Sequence, residues 1–122
     1  MNIAIVIDDC ELLKISLSKV LSCYMDEFYF YTNVSDALNK LKHVRGNDQY
    51  LFLVDLETVT SEGMDAIIRA MPKPFSEIIL LTSLPPTYVS KDASKPEVLR
   101  LFTKPFIMNE LERYIKTYIS KT

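Results

Sequence analysis

Glycine is the residue that this chain most conspicuously lacks. Its 122 residues include only two glycines, Gly46 and Gly63, whereas average usage of roughly 7% would give about eight or nine. The G-x-G-x-x-G loop of dinucleotide-binding proteins and the G-x-x-x-x-G-K-[ST] phosphate loop are both excluded, because each needs closely spaced glycines. Any phosphate chemistry in this protein must therefore use other residues.

Soft metal ligands are nearly as scarce. The chain has one histidine, His43, and two cysteines, Cys10 and Cys23, with no C-x-x-C pair. Neither a zinc site nor a disulfide framework is expected from this set. Free cysteines in such small number are typical of a reducing compartment, so we expect a cytoplasmic protein.

An excess of charge of one sign and a long apolar run are also missing. The net charge of −2 and a pI of about 5.4 give no reason to expect nucleic acid or an anionic membrane as a partner. The apolar run at residues 2–7 is stopped by Asp8 and Asp9, which makes it too short for a signal peptide or a membrane span. The length predicts one domain over residues 1–122.

What the chain does contain is an alternation of two kinds of segment. Stripes of apolar residues with helical spacing lie at residues 13–21, 34–41, 64–71 and 108–119. Ser35 is predicted to cap the second of these helices. Five short continuous apolar runs are typical of strands covered on both faces, and they are Ile3–Ile7, Phe28–Tyr31, Leu51–Val54, Ile78–Leu81 and Leu99–Phe102.

Strands that alternate with helices predict a doubly wound α/β fold, in which a five-stranded parallel sheet carries helices on both faces. The segment at residues 83–98 contains three prolines and no sustained stripe, so the fourth helix is predicted to be short or irregular. A Lys-Pro-Phe tripeptide at residues 73–75 follows a helix and is predicted to be a loop at the amino edge of the sheet.

Polar side chains follow four of the predicted strands. Asp8 and Asp9 follow the first strand, Asp55 the third, Thr82 ends the fourth, and Lys104 follows the fifth. Taken singly, each has an ordinary explanation as a helix cap, a turn residue or a solvated strand end. Together they share the carboxyl edge of a parallel sheet, where ligands of such folds bind.

Three carboxylates at one edge need a cation to offset their repulsion. Oxygen ligands without a neighbouring cysteine or histidine favour Mg²⁺. A carboxylate can accept a phosphoryl group, and a metal ion and a fixed ammonium can balance the charge on the transferring oxygens. The set of residues therefore predicts phosphoryl-transfer chemistry.

Four segments carry a resemblance to a known family: IVIDDCELL, LFLVDLE, IILLTS and LFTKPF. Their order and spacing resemble the receiver domains of two-component response regulators, including the chemotaxis receivers. The resemblance covers essentially the whole chain and implies a flavodoxin-like sheet with strand order 2-1-3-4-5.

The same resemblance implies a role for each acidic residue. Asp55 would accept the phosphoryl group. Asp9, Asp55 and the backbone carbonyl of Glu57 would bind Mg²⁺, with Asp8 assisting through a water molecule.

The resemblance also implies a switch. Lys104 would contact the phosphoryl group, Thr82 would reorient to hydrogen-bond it, and the peptide bond before Pro105 would be cis. The chain departs from the family three residues before the lysine, where Leu101 stands in place of the usual aromatic switch residue. Phe102 is the aromatic residue next to it.

The implied partners are a histidine kinase or phosphotransfer protein as donor, and a protein effector or second copy on the face of helix four, strand five and helix five. The protein would be a phosphoryl acceptor, not an enzyme with turnover. It would act either alone or as part of a longer protein.

Two other functions compete with this one. Leu101 and the atypical fourth-helix segment would suit an interaction module that works without phosphorylation. The segment FLVDLET superficially resembles the D-x-D-x-T motif of haloacid-dehalogenase phosphatases. Against this second alternative, Glu57 replaces the second aspartate, the Asp8–Asp9 pair comes before the lysine, and no room remains for a cap domain.

Overall fold

The computed structural model describes residues 1–43, 47–72 and 76–120, in which strands and helices alternate. The strands are β1 Asn2–Ile7, β2 Glu27–Tyr31, β3 Gln49–Asp55, β4 Ser76–Thr82 and β5 Val98–Thr103. The helices are α1 Glu11–Tyr24, α2 Val34–Leu41, α3 Ser61–Ala70, α4 Pro86–Ala93 and α5 Met108–Ser120. The Lys-Pro-Phe tripeptide at residues 73–75, which we predicted to be a loop, lies outside the described residues.

The five strands form one parallel sheet in the order β2-β1-β3-β4-β5. This confirms the predicted fold class and strand order. Ile7 of β1 pairs with Val54 of β3, and Asp55 of β3 pairs with Leu81 of β4. The carboxyl ends of β1, β3 and β4 are therefore level, and the residues that follow these strands lie at the same edge of the sheet.

The sheet has a hydrophobic core on each face, because successive strand residues point to opposite sides. In β1, Ile3, Ile5 and Ile7 belong to the core that also holds buried residues of α2 and α3. Ala4 and Val6 belong to the core that holds buried residues of α1 and α5. The three central strands, β1, β3 and β4, read as apolar runs because both of their faces are covered.

The fourth helix has eight residues and begins directly after Pro85. Its first residue is proline, a residue that suits the first turn because its missing N–H has no helical partner there. The prediction of a short fourth helix is confirmed. Beyond it, the pairing of β4 with β5 shifts register between Ile78 and Ile79, which pair with Val98 and Arg100.

The start of α2 corrects one prediction. Asn33, not Ser35, is the N-cap, and its side-chain oxygen accepts a hydrogen bond of 2.9 Å from the backbone N–H of Asp36. Ser35 is the second residue of the helix and is exposed. The error arose because both residue types are good caps, and the apolar stripe does not distinguish which of them precedes the first helical residue.

Glycine is required at one place in α3, which Thr60 caps by accepting a hydrogen bond of 3.1 Å from Gly63. A Cβ atom on Gly63 would lie 3.0 Å from a methyl group of Val59 and 3.1 Å from one of Val34. The absent side chain thus lets the start of α3 approach α2 and the loop that follows β3.

Candidate functional site

The carboxyl edge of the sheet brings the predicted acidic residues together. Asp55 is the last residue of β3 and is 1% exposed, whereas Asp8 and Asp9 directly follow β1. One carboxylate oxygen from each of the three lies within 4.8 Å of the others. A cluster of three carboxylates at this separation is repulsive unless cations offset the charge.

Asp8 is fixed by its backbone neighbours. Its own N–H donates to the carbonyl oxygen of Tyr31 on β2 at 3.1 Å, and its Oδ1 accepts from the N–H of Cys10 at 2.9 Å. Cys10, which precedes α1, makes no side-chain capping bond. Within the described residues, the Asp8 carboxylate contacts the Cys10 N–H and the Lys104 ammonium.

Lys104 lies between two of the acids. Its Nζ is 2.8 Å from Asp8 Oδ2 and 3.3 Å from Asp55 Oδ1. Burial lowers the pKa of Lys104, but the hydrogen bond and charge of Asp8, followed by those of Asp55, outweigh burial and raise the pKa above its usual value. The ammonium is therefore charged at neutral pH and partly compensates the acidic cluster.

The backbone at Lys104 is tied to the neighbouring strand. Its N–H donates to the carbonyl oxygen of Thr82 at 2.6 Å, which ties the end of β5 to the end of β4. The peptide bond between Lys104 and Pro105 is cis, as the resemblance implied.

Two groups of the loop after β3 contact the Asp55 carboxylate. The hydroxyl of Thr58 donates to Oδ2 at 2.6 Å, and the backbone N–H of Glu57 donates to Oδ1 at 3.3 Å. Burial raises the pKa of Asp55 and the neighbouring Glu57 carboxyl raises it further, whereas the Thr58 hydroxyl lowers it. Sequence reasoning missed Thr58, because its contact with the acceptor depends on the turn after β3, in which the Thr58 N–H donates to the Asp55 carbonyl oxygen.

The Glu57 side chain forms a bridge to the loop after β4. Its Oε1 accepts a 2.6 Å hydrogen bond from the backbone N–H of Ser83 and a second one from the Ser83 hydroxyl. Partial burial opposes ionisation of Glu57, but the interaction with Asp55 and the two bonds from Ser83 lower its pKa to about 2. Sequence reasoning identified Glu57 as a neighbour of the acceptor but missed Ser83 as its partner.

Thr82 and Leu101, the two positions associated with a switch, occupy different surroundings. Thr82 is fully buried at the end of β4, and its hydroxyl accepts from the N–H of Leu84 at 3.0 Å. Leu101 is partly buried against the core on the α2–α3 face. Phe102 points to the opposite face and packs against Phe106 and Tyr114, with ring centroids 5.9 and 6.0 Å away. The neighbouring aromatic residue thus does not occupy the place of Leu101.

The residues present fit a magnesium ion. The cluster offers carboxylate oxygens from Asp8, Asp9 and Asp55, which is the hard oxygen set that Mg²⁺ prefers. Asp9 is exposed and Asp55 is buried, so an ion held between them would retain a side open to solvent and to a substrate.

The comparison with solved structures decides the fold. A response regulator from Thermotoga maritima superposes with a TM-score of 0.78 over 98% of both chains, at 18% identity. The chain has the fold of a receiver domain. No protein-family model and no curated protein sequence matches the chain.

Other proteins share this receiver fold. The receiver domain of a sensor histidine kinase from Pseudomonas aeruginosa, described with a magnesium ion coordinated in its active-site cleft, superposes with a TM-score of 0.71 at 18% identity, covering 97% of both chains. A protein from Rhodopirellula baltica described as adenylate cyclase gives a TM-score of 0.75 at 24% identity, with 98% of this chain and 87% of that one covered.

Among the described residues of this chain, no helix is long and apolar enough to cross a membrane.

Proposed function

We propose that the protein is a phospho-acceptor signalling domain in which Asp55 receives the phosphoryl group. The observation that carries this proposal is the surroundings of Asp55: a buried carboxylate lies 3.3 Å from the Lys104 ammonium, with Asp8 and Asp9 within 4.8 Å as further metal ligands. We further propose that residues 1–122 form one receiver domain.

The transfer would be a displacement at phosphorus. A carboxylate oxygen of Asp55 forms a bond to the phosphorus of an acyl phosphate or a phosphohistidine, and the bond from phosphorus to the acetate oxygen or the imidazole nitrogen breaks. The leaving group departs with the bonding electrons. Lys104 offsets charge on the phosphoryl oxygens, since positioning and electrostatics account for most of the catalysis in such reactions.

Magnesium would be held by Asp9, Asp55 and the backbone carbonyl of Glu57, with Asp8 acting through a water molecule. The ion supplies a Lewis acid that neutralises the acidic cluster and the phosphoryl oxygens. The residues of the chain orient the acceptor: Thr58 and the Glu57 N–H bind its two oxygens. Thr82 would turn its hydroxyl from Leu84 to the phosphoryl group.

The proposed donor is a histidine kinase or a phosphotransfer protein. The proposed output surface is the face formed by α4, β5 and α5, which would contact an effector or a second copy. Tyr88 on α4 is 78% exposed and Leu99 on β5 is 39% exposed. Both residues lie on elements of the proposed output face and are available to a partner.

The test is phosphorylation by acetyl phosphate with and without Mg²⁺, measured by intact mass. We expect the wild type to gain one phosphoryl group only with Mg²⁺, and Asp55→Asn to gain none. Equal modification of both proteins would exclude Asp55 as the acceptor. Steady release of phosphate from a simple ester would instead support the phosphatase alternative.

A second candidate function is favoured by Leu101, which is partly buried against the core where the family has a mobile aromatic residue. In this case the fold would serve as an interaction module that does not respond to phosphorylation. A partner that binds Asp55→Asn and beryllofluoride-activated wild type with equal affinity would support it. A clear difference in affinity would argue for the phospho-acceptor.

A further inference from the structure

The bridge between Glu57 and Ser83 joins the two loops that border the acceptor. Glu57 lies two residues after Asp55, and Ser83 directly follows Thr82. Both hydrogen bonds from Ser83 end on the same carboxylate oxygen. A backbone N–H and a hydroxyl that converge on one anionic oxygen form a small anion-binding group, and here that group binds a side chain of the protein itself.

The Glu57 carboxylate stands next to the position that a phosphoryl group on Asp55 would occupy. The backbone N–H of Glu57 donates to the Asp55 carboxylate at 3.3 Å, and the charge of the Glu57 side chain is held beside the same loop by Ser83. A phosphoryl group adds a charge of roughly −1.5 to −2 and three strong acceptor oxygens. It would therefore repel Glu57 and compete with it for the same donors.

The loop that holds Ser83 leads directly into α4, which begins at Pro86. Besides the two bonds to Glu57, the described hydrogen bonds of this loop run from the Leu84 N–H to the Thr82 hydroxyl and from the Tyr88 N–H to the Pro85 carbonyl. Leu101 is an aliphatic side chain that is partly buried against the core, so a route from the acceptor to α4 has to run through other groups. The Glu57–Ser83 bridge is such a route.

We propose that Glu57 is an internal competitor for the phosphoryl group: its carboxylate binds the Ser83 donors in the unmodified protein, and phosphorylation of Asp55 displaces it, so that the loop before α4 exchanges Glu57 for the phosphoryl group. This inference rests on the proposed function. The phosphoryl group then takes over the hydrogen bonds that Glu57 gives up, and this exchange of partners changes the position of the loop and of α4 on the proposed output face.

The test measures beryllofluoride binding in the presence of Mg²⁺ by calorimetry, with wild type, Glu57→Ala and Glu57→Gln. Removal of the competitor should strengthen binding by about tenfold in Glu57→Ala, since hydrogen bonds to a charged group have to be broken in the wild type. Glu57→Gln keeps an acceptor but loses the charge, so we expect an intermediate gain. The exposed residue Glu62 provides the matched control, and Glu62→Gln should bind as the wild type does.

A double-mutant cycle with Ser83→Ala separates competition from simple charge repulsion. If Glu57 acts through Ser83, the gain from Glu57→Ala should fall by about threefold in the Ser83→Ala background, because one of the contested donors is gone. An undiminished gain would show that Glu57 acts by charge alone and would overturn the inference. Backbone amide NMR gives a readout without any ligand: in Glu57→Ala, the Ser83 and Leu84 signals should already move toward their positions in loaded wild type.

The outcomes also separate this inference from the proposed function. If the wild type loads and Glu57→Ala loads with equal or lower affinity, the competitor role is wrong and the acceptor role stands. If Glu57→Ala loads and the wild type does not, the competitor role is supported in its strongest form. If neither loads, both proposals fail.

Discussion

At the scale of single residues, the site has three carboxylates and one fixed ammonium. Lys104 contacts Asp8 and Asp55, and Glu57 adds a fourth acid whose charge is held in place by Ser83. The burial of Asp55 makes this excess of negative charge more costly than it would be at the surface. Such a site lowers the stability of the protein when no cation offsets the charge, which is the cost that the proposed function would require.

Replacing Asp55 by asparagine should therefore stabilise the protein. In EDTA at pH 7 we expect Asp55→Asn to raise the free energy of unfolding by about 1–2 kcal/mol, because one member of the repulsive cluster loses its charge. The Thr58 hydroxyl can still donate to the amide oxygen. Urea denaturation measures the difference, and Glu62→Gln serves as a control for loss of an exposed carboxylate.

The pH dependence of this difference has a definite sign. The pKa of Asp55 is raised in the folded protein, so the folded state binds the proton more tightly than the unfolded state does. The unfavourable contribution of Asp55 is present above its folded pKa and is relieved as the pH falls through that value. The advantage of Asp55→Asn should thus shrink as the pH is lowered from 7, and an advantage that grows as the pH falls would contradict the assignment.

At the scale of single elements, the cap of α2 provides a direct test of one correction. Asn33→Ala removes the acceptor for the Asp36 N–H and should lower the free energy of unfolding by about 1 kcal/mol. Ser35→Ala changes an exposed residue inside the helix and should alter stability by less than about 0.5 kcal/mol. Thermal or urea unfolding of the two variants checks this, and equal losses would restore Ser35 as a contributor.

The elements also show what the sequence could and could not predict. All five predicted strands lie within the observed ones, because a continuous apolar run is a local signal. The partners of the acceptor loop are not local: Ser83 lies 26 residues from Glu57, and their contact depends on how two loops meet above the sheet. The separation of Leu101 from Phe102 follows from strand alternation, which places neighbours on opposite faces.

Helix α4 carries a buried aspartate, Asp92, that should lower the stability of the protein. Asp92 is 8% exposed; one carboxylate oxygen accepts from the Ser61 hydroxyl at 3.4 Å, and the other has no hydrogen-bond partner among the described residues. It also places a negative charge in the last turn of the helix, where the helix dipole is unfavourable for it.

Asp92→Ala should therefore raise the free energy of unfolding by about 1 kcal/mol. The exposed Thr87 lies in the same helix, and Thr87→Ala should change stability by no more than about 0.5 kcal/mol. Urea denaturation of both variants makes the comparison. A loss of stability in Asp92→Ala would show that the weak bond to Ser61 outweighs the cost of burying the carboxylate.

At the scale of the whole molecule, the site exists only when the sheet is complete. The ion pair of Lys104 with Asp8 joins residues 96 positions apart in the sequence, and the bond from Lys104 to Thr82 holds β5 against β4. Asp8 and Asp55 become neighbours because β1 and β3 are adjacent in the strand order. Unfolding therefore disperses the acidic cluster, and a cation that binds the cluster must stabilise the entire domain.

Magnesium should accordingly raise the global stability of the wild type. At a concentration about ten times its dissociation constant, the gain in free energy of unfolding should be about 1.4 kcal/mol, since the ion binds the folded state alone. Asp9→Asn should lose most of this gain while remaining folded, because Asp9 is exposed and contributes to the cluster. Urea denaturation over a Mg²⁺ titration provides the measurement, with Glu62→Gln as the control. Equal stabilisation of Asp9→Asn and wild type would place the ion somewhere other than at the acidic cluster.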